Sequence, residues 1–272
     1  MGHALPADVH PLPTVPTAAH SVRFVESSAG RSRDVWPARL DVAQSGAGLA
    51  LGVFMWAHML FVASILLGKD AMWVVARFFE GYFFFGTSHP GIVTVLVGAV
   101  IVLFVVHAAL ALRKFPSSVR AYRAFRAHES AMRHADTRLW HWQVATGFAL
   151  FFLASVHLYT MLTHPEAIGP YASADRVWSG RLWPLYLLLL FVVEIHGGIG
   201  LYRVAVKWSW LGSAVSDRRR RLRRLKTGLT VFFLLLGLLT LAAYMRIGFE
   251  HRERAGERYV PSFLAAPPGH AS

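Results

Sequence analysis

Five long apolar stretches alternate with polar connections along this chain. They cover approximately residues 42–67, 90–112, 139–163, 182–206 and 228–247. A helix needs roughly 20 apolar residues to cross the hydrocarbon core of a bilayer, and each stretch is long enough. The pattern therefore predicts an all-α membrane protein, built as one bundle of five transmembrane helices.

The apolar pattern also divides the chain into three parts. Residues 1–36 form a polar, proline-rich N-terminal tail, residues 37–250 hold the five-helix bundle, and residues 251–272 form a C-terminal tail. The N-terminal tail contains no apolar run of the kind found in a secretory signal, so we expect no cleaved signal peptide.

Composition agrees with a membrane protein and restricts its chemistry. Of the 272 residues, 55 % are apolar and only 16 % are charged, whereas soluble domains carry about 25 % charged residues. The chain has no cysteine. This excludes disulfides, iron–sulfur clusters held by the chain's own thiolates and covalent attachment of c-type haem. A redox centre would have to be held by other side chains.

The basic residues predict the orientation of the bundle. Lys and Arg number seven in residues 113–138 and nine in residues 203–226, but only two each in residues 68–89 and 164–181. Basic connections stay in the cytoplasm, so we expect a cytoplasmic N-terminus and a C-terminus outside. Topology also explains the net charge of +13 without nucleic acid as a partner. The run 218–221 is either a topological anchor or a docking face for a soluble partner.

One histidine lies in each of the first four spans, at His58, His107, His157 and His196. An ionisable side chain inside a membrane is costly and commonly marks a functional site. With a helical rise of 1.5 Å per residue, His58 and His157 lie about 24 and 27 Å from the cytoplasmic end. His107 and His196 lie about 8 and 15 Å from that end. The depths predict two facing pairs, the geometry of two bis-histidine haems that form a transmembrane electron path.

The same histidines are also compatible with roles that involve no haem. A single membrane histidine can be a hydrogen-bonded packing residue or a proton relay, and imidazole also suits zinc and other transition metals. A metal site of that kind would require the histidines in one cluster, with carboxylates or thiolates among them, whereas the sequence predicts two levels.

Four longer segments carry a family resemblance: LDVAQSGAGLALGVFMWAHMLFVASILLG, LRKFPSSVRAY, MRHADTRLWHWQVATGFALFFLASVHLYTM and WPLYLLLLFVVEIHGGIGLYRVAVKW. They resemble the dihaem cytochrome b subunit of quinol:fumarate reductase, the five-helix form in the succinate:quinone oxidoreductase superfamily. The resemblance covers about residues 37–250. It implies two haem b groups, one on His107 and His196 nearer the cytoplasm and one on His58 and His157 nearer the outside.

The resemblance also gives two carboxylates a role. It implies that Glu80 accepts the proton of the quinol, whereas the residues alone favour a loop carboxylate paired with Arg77. It places Glu194 in a transmembrane proton pathway; the alternative is a carboxyl neutralised by a donor on a neighbouring helix. Glu194 precedes His196 by two positions and therefore points about 200° away from it around the helix.

Further residues could meet haem propionates if the resemblance holds. Arg176 would serve the outer haem. The candidates for the inner haem are Gln44, Ser45, His134, Trp140 and Lys207. Trp140 could equally belong to an aromatic belt at the membrane interface.

These expectations combine into one functional hypothesis. The chain would be the membrane anchor and electron conduit of a quinol:fumarate reductase or succinate:quinone reductase in the bacterial cytoplasmic (inner) membrane. It would oxidise menaquinol near the outer face and pass electrons to an iron–sulfur subunit and a flavoprotein on the cytoplasmic side, in a heterotrimer that could dimerise. The alternatives are the cytochrome b subunit of a hydrogenase or formate dehydrogenase, a proton or metal transporter, and a structural anchor without turnover.

Overall fold

The computed structural model describes residues 35–115, 118–120, 123, 135–210 and 215–265. Helices, turns and bends make up this part of the chain, and it contains no strand. Short 3₁₀ helices follow the first and the last helix, at Ala63–Leu67 and Arg252–Arg254. In chain order the α-helices described are α1 (Trp36–Val62), α2 (Lys69–Phe79), α3 (Tyr82–Phe85), α4 (Pro90–Leu112), α5 (Ala135–Thr163), α6 (Pro170–Val177), α7 (Trp183–Lys207) and α8 (Val215–His251).

Five of these helices are long and apolar enough to cross a membrane, namely α1 with its 3₁₀ extension, α4, α5, α7 and α8. The predicted fold class is thereby confirmed. The second span matches its predicted bounds, but α8 begins at Val215, well before the predicted residue 228. The basic run 218–221 therefore belongs to a helix and not to a loop, because arginine and leucine favour helix almost as strongly as alanine does.

Helix α7 lies at the centre of the bundle, packed against α1, α5 and α8. It has the largest buried share among the five spans, with buried positions that include Glu194, Gly198 and Tyr202. Helix α4 is peripheral and buries only Val93. The exposed Val, Leu and Phe side chains of the outer helices form the surface that lipid solvates, since lipid tails are as apolar as these side chains.

At one end of the bundle, here called the basic end, α1 begins and α4 and α7 terminate. The Asp41 carboxylate of α1 lies 2.6 Å from Lys114 Nζ and 2.8 Å from Lys207 Nζ, with Arg113 3.6 Å away. One carboxylate thus ties α1 to the ends of two other helices. The groups are partly exposed, so each pair contributes at most about 1 kcal/mol.

At the opposite end, here called the cap end, both connections fold into short helices that the sequence analysis did not predict. Helix α2 is amphipathic and buries Met72, Trp73 and Ala76. Met72 packs in one cluster with Ala174 of α6 and Tyr244 of α8. The cap end is therefore an ordered layer of α2, α3 and α6.

Close packing of α8 at the cap end predicts a position-specific effect of a single methyl group. A Cβ at Gly248 of α8 would lie 2.5 Å from the Ala174 carbonyl oxygen and 2.5 Å from Trp178 Cβ. Both atoms are held by the backbone, so Gly248→Ala should destabilise the bundle by about 1–3 kcal/mol through overpacking. The measurement is the midpoint of thermal unfolding of the purified complex in detergent.

Gly228 provides the matched control on the same helix, since a Cβ there would meet nothing within 4 Å. Gly228→Ala should leave the midpoint unchanged or raise it, because alanine favours helix over glycine by about 1 kcal/mol. Equal midpoints for the two variants would contradict the packing argument.

Candidate functional site

The structure brings the four membrane histidines together as two pairs. His107 of α4 and His196 of α7 lie nearer the basic end, with ring centroids 6.5 Å apart and planes at 90°. His58 of α1 and His157 of α5 lie nearer the cap end, with centroids 6.2 Å apart and planes at 53°. Each pair joins two different helices across the interior of the bundle.

These distances fit a metal atom between the two rings of each pair. Imidazole nitrogen binds a metal at about 2 Å, so one ligating nitrogen from each ring leaves the ring centroids about 6 Å apart. Direct hydrogen bonding between the rings would bring them closer. In the described residues, no group of three or more His, Asp or Glu side chains is placed to hold a metal ion.

The second nitrogen of His196 fixes the orientation of its ring. His196 Nδ1 lies 2.9 Å from the Gln143 carbonyl of α5 and 3.3 Å from Thr146 Oγ1. When the Nδ1–H donates to the carbonyl, Nε2 keeps its lone pair for a metal, an arrangement common among ligating histidines. Thr146 in turn donates to the Trp142 carbonyl at 2.6 Å.

Glycines lie against both rings of the pair at the basic end. A Cβ at Gly48 of α1 would lie 2.8 Å from His107 Cε1, and one at Gly147 of α5 would lie 3.1 Å from His196 Cε1. Both positions therefore require a residue without a side chain for the rings to keep their present positions. Within the described part of the chain, His157 Nδ1 has no hydrogen-bond partner, and His107 interacts with the Gln44 backbone without hydrogen-bond geometry at Nδ1.

The pair at the cap end lies among aromatic rings. His58 stacks on Phe54, with centroids 5.8 Å apart, and Tyr186 meets His157 edge-on at 5.6 Å. Arg176, the predicted propionate contact on this side, donates to the Ala167 carbonyl. Its charge also acts on His157. Arg176 is thus positioned beside this pair by the loop before α6.

The predicted propionate contacts at the basic end form a polar group around α1 and α7. Lys207 Nζ contacts the Asp41 carboxylate and lies 3.4 Å from Ser45 Oγ. Ser45 donates to the Asp41 carbonyl at 2.9 Å. Gln44 Oε1 is buried and, among the described residues, has no hydrogen-bond partner. Trp140 lies near the start of α5 with its ring against His141, and His134 lies outside the described residues.

Glu80 is fully buried, with 1 % of its surface exposed, at the end of α2. Its carboxylate forms an ion pair with Arg77, and Arg77 also donates to Ser88 Oγ at 2.5 Å. The Glu80 carbonyl accepts the backbone N–H of His89 at 2.8 Å. The structure therefore contains the Arg77 pairing considered as the alternative, and it fixes Glu80 between α2 and the start of α4.

Glu194 is completely buried on the side of α7 away from His196. It faces the indole N–H of Trp56 on α1, and the two groups interact without hydrogen-bond geometry. Trp56 stacks on Phe233 of α8 with centroids 5.3 Å apart. Neither carboxyl oxygen has a hydrogen-bond partner among the residues the structure describes. An apolar setting of this kind is costly for a charged carboxylate.

Sequence reasoning missed a cavity of about 220 Å³ at the cap end, lined by Trp73, Arg77, Ser88 and Tyr259 among others. The only signal in the sequence was the helical spacing of Trp73 and Arg77 on a short amphipathic segment. The contribution of Tyr259, far along the chain, left no local signal.

Five spans with two facing pairs of histidines define a polytopic membrane protein suited to hold metal-centred groups between its helices. The family model described as succinate dehydrogenase/fumarate reductase transmembrane subunit matches residues 119–237.

Two relatives extend this match over most of the chain. The fumarate reductase cytochrome b subunit of Helicobacter pylori strain 26695 is 48 % identical over 230 residues, 85 % of this chain and 89 % of the relative. The corresponding subunit of Wolinella succinogenes is 49 % identical over 235 residues, 85 % of this chain and 92 % of the relative. The chain belongs to this family of fumarate reductase cytochrome b subunits, and the resemblance inferred from its sequence segments is confirmed.

Proposed function

We propose that this chain is the haem-carrying membrane anchor of a quinol:fumarate reductase or succinate:quinone reductase in a bacterial cytoplasmic membrane. The observation that carries the proposal is the presence of two facing imidazole pairs, each shared between two membrane helices, at 6.2 and 6.5 Å. The relatives are named as cytochrome b subunits, and haem b is the group that such pairs ligate.

His107 and His196 would hold one haem b, and His58 and His157 the other. Haem bound in this way supplies one-electron redox chemistry. The chain contributes the ligands, their orientation through Gln143 and the glycines that leave room for the rings. Lys207, Ser45, Gln44, Trp140 and His134 at the basic end and Arg176 at the cap end would then meet the propionates.

The basic end would face the cytoplasm, because Lys and Arg are retained on that side. An iron–sulfur subunit and a flavoprotein with the dicarboxylate site would dock there, and the cap end would face outwards. Menaquinol would be oxidised at the cap end, beside the pair His58 and His157.

Removal of one imidazole should remove one haem. His107→Ala and His58→Ala should each lower the haem content from two per chain to one, because a bis-histidine site loses an axial ligand. The measurement is the pyridine haemochrome content per purified complex. His141→Ala is the control, since His141 is an exposed histidine of α5 outside both pairs. A wild-type chain with a single haem would contradict the assignment.

Glu80 would accept a proton from the quinol hydroxyl, because oxidation of a quinol releases two electrons and two protons and needs a base within hydrogen-bond reach. Its support is its position, a buried carboxylate at the cap end held by Arg77. Arg77 and Ser88 would keep the carboxylate oriented.

Glu80→Gln should abolish quinol oxidation, because the amide keeps the shape of the side chain but cannot accept the proton. Quinol-coupled fumarate reduction should fall by at least about a hundredfold with both haems retained. Glu250→Gln is the matched control, an exposed carboxylate at the cap end that pairs with Arg246. Quinol oxidation by the Glu80 variant at the wild-type rate would remove Glu80 as the acceptor.

Glu194 would carry a proton across the interior of the membrane, on the side of α7 that faces Trp56. Its support is complete burial without a hydrogen bond in the described part of the chain, which suits a group that takes up and releases a proton.

Glu194→Gln should slow quinol-coupled turnover and leave fumarate reduction by a soluble dye unchanged, because the dye delivers electrons directly to the soluble subunits. Both activities are measured on the same preparation, with the Glu250 variant again as control. Wild-type quinol-coupled turnover would refute the role in proton transfer, and loss of both activities would identify an assembly defect.

A further inference from the structure

The chain turns back across the cap end after α8, and residues 256–263 are here called the C-terminal strap. Asp175 of α6 fixes the beginning of the strap. Its Oδ2 accepts the Gly256 N–H at 2.9 Å, and its Oδ1 lies 3.0 Å from Nδ1 of the buried His251. The His251 ring stacks on Tyr171, with centroids 3.9 Å apart. The strap therefore begins at a hydrogen-bonded base that includes the buried His251.

Asp70 of α2 fixes the far end of the strap. Tyr259 donates its hydroxyl to Asp70 Oδ1 at 2.7 Å, and Ser262 donates its N–H at 3.0 Å and its hydroxyl at 2.5 Å. Between the two donors Pro261 is fully buried, and Phe263 packs edge-on against Trp73 at 5.6 Å. Three hydrogen bonds to one carboxylate, with apolar contacts on both sides, make this a specific attachment.

The protonation states support the same attachment. The hydrogen bonds from Ser262 and Tyr259 lower the pKa of Asp70, so Asp70 is a charged acceptor at neutral pH. Burial and the neighbouring Asp70 raise the pKa of Tyr259 to about 12, so its hydroxyl keeps the proton that it donates.

The strap forms one wall of the 220 Å³ cavity, to which it contributes Arg258 and Tyr259. The opposite wall includes Trp73 and Arg77 of α2. Asp70, Trp73 and Arg77 have the spacing of residues on one face of a helix. Asp70 attaches the strap, Trp73 lines the cavity, and Arg77 pairs with Glu80. A displacement of the strap would therefore act on Arg77 through a single short helix.

We propose that the C-terminal strap is a positioning element of the quinol-oxidising site, and that Asp70, Tyr259 and Ser262 hold α2 so that Arg77 orients the Glu80 carboxylate. This inference rests on the proposed role of Glu80 as proton acceptor. The strap also lines one side of the cavity that Arg77 borders. None of its residues lies at either imidazole pair, so its loss acts on quinol and leaves haem binding intact.

The test uses the whole complex with a water-soluble quinol analogue. Asp70→Asn and Tyr259→Phe should lower kcat for quinol oxidation by about tenfold and change KM less, because a misoriented Glu80 carboxylate accepts the proton less well. Haem content and dye-linked fumarate reduction should stay at wild-type values. Asp70→Glu should restore part of the quinol activity, since it keeps the charge that accepts the three donors. Glu253→Gln is the control, an exposed carboxylate near the strap that pairs with Arg252.

Two further variants, Tyr259→Phe and Tyr259→Phe/Ser262→Ala, keep the test decisive if Asp70→Asn fails to assemble. Wild-type KM and kcat in both of them would overturn the inference. A parallel loss of dye-linked activity would also overturn it, because the strap would then serve assembly alone. Glu80→Gln separates the two proposals. If that variant oxidises quinol normally, the proposed role of Glu80 fails, and the strap inference fails with it. If it is inactive while the strap variants match wild type, only the strap inference fails.

Discussion

A polar side chain inside a bilayer has no water to bind, so it must meet a group on another helix or remain uncharged. This constraint organises the bundle. The facing imidazoles link α1 to α5 and α4 to α7, and glycines at positions 48 and 147 let the neighbouring backbones approach the rings. Helix α7 carries His196 on one side and Glu194 on the other. Polar side chains on both sides require neighbouring helices on both, in agreement with the large buried share of α7.

The two ends of the bundle are held by different forces. At the basic end, Asp41 collects several cations in a partly exposed ionic group, which is weak and sensitive to salt. At the cap end, apolar burial dominates, with Ala174 and Tyr244 almost completely enclosed. The ionic group at the basic end is therefore more exposed to solvent than the apolar cluster at the cap end.

The sequence allowed prediction of the five spans because a run of about 20 apolar residues has few other interpretations. Depth arithmetic also grouped the histidines that the structure places face to face. The sequence did not predict α2, α3 and α6, because their short segments of mixed polarity resemble ordinary loops. It also did not predict the contact between Asp70 and Tyr259, which are 189 positions apart. The position of Lys207 at the end of a span marks it as a candidate polar contact. Its ion pair with Asp41 was not predictable, because the two residues lie far apart in the sequence.

The two candidate proton-handling carboxylates differ in how the fold supports them. Glu194 is part of a transmembrane helix, and its position follows from the packing of α7 against α1 and α8. Glu80 ends an 11-residue helix that crosses nothing, so its position depends on what holds that helix to the rest of the molecule. Arg77 fixes the carboxylate locally, but α2 is itself held by the apolar cluster around Met72 and by the strap at Asp70. A site on such a short element can be precise only if residues distant in sequence close around it, and here the final segment of the described chain does so.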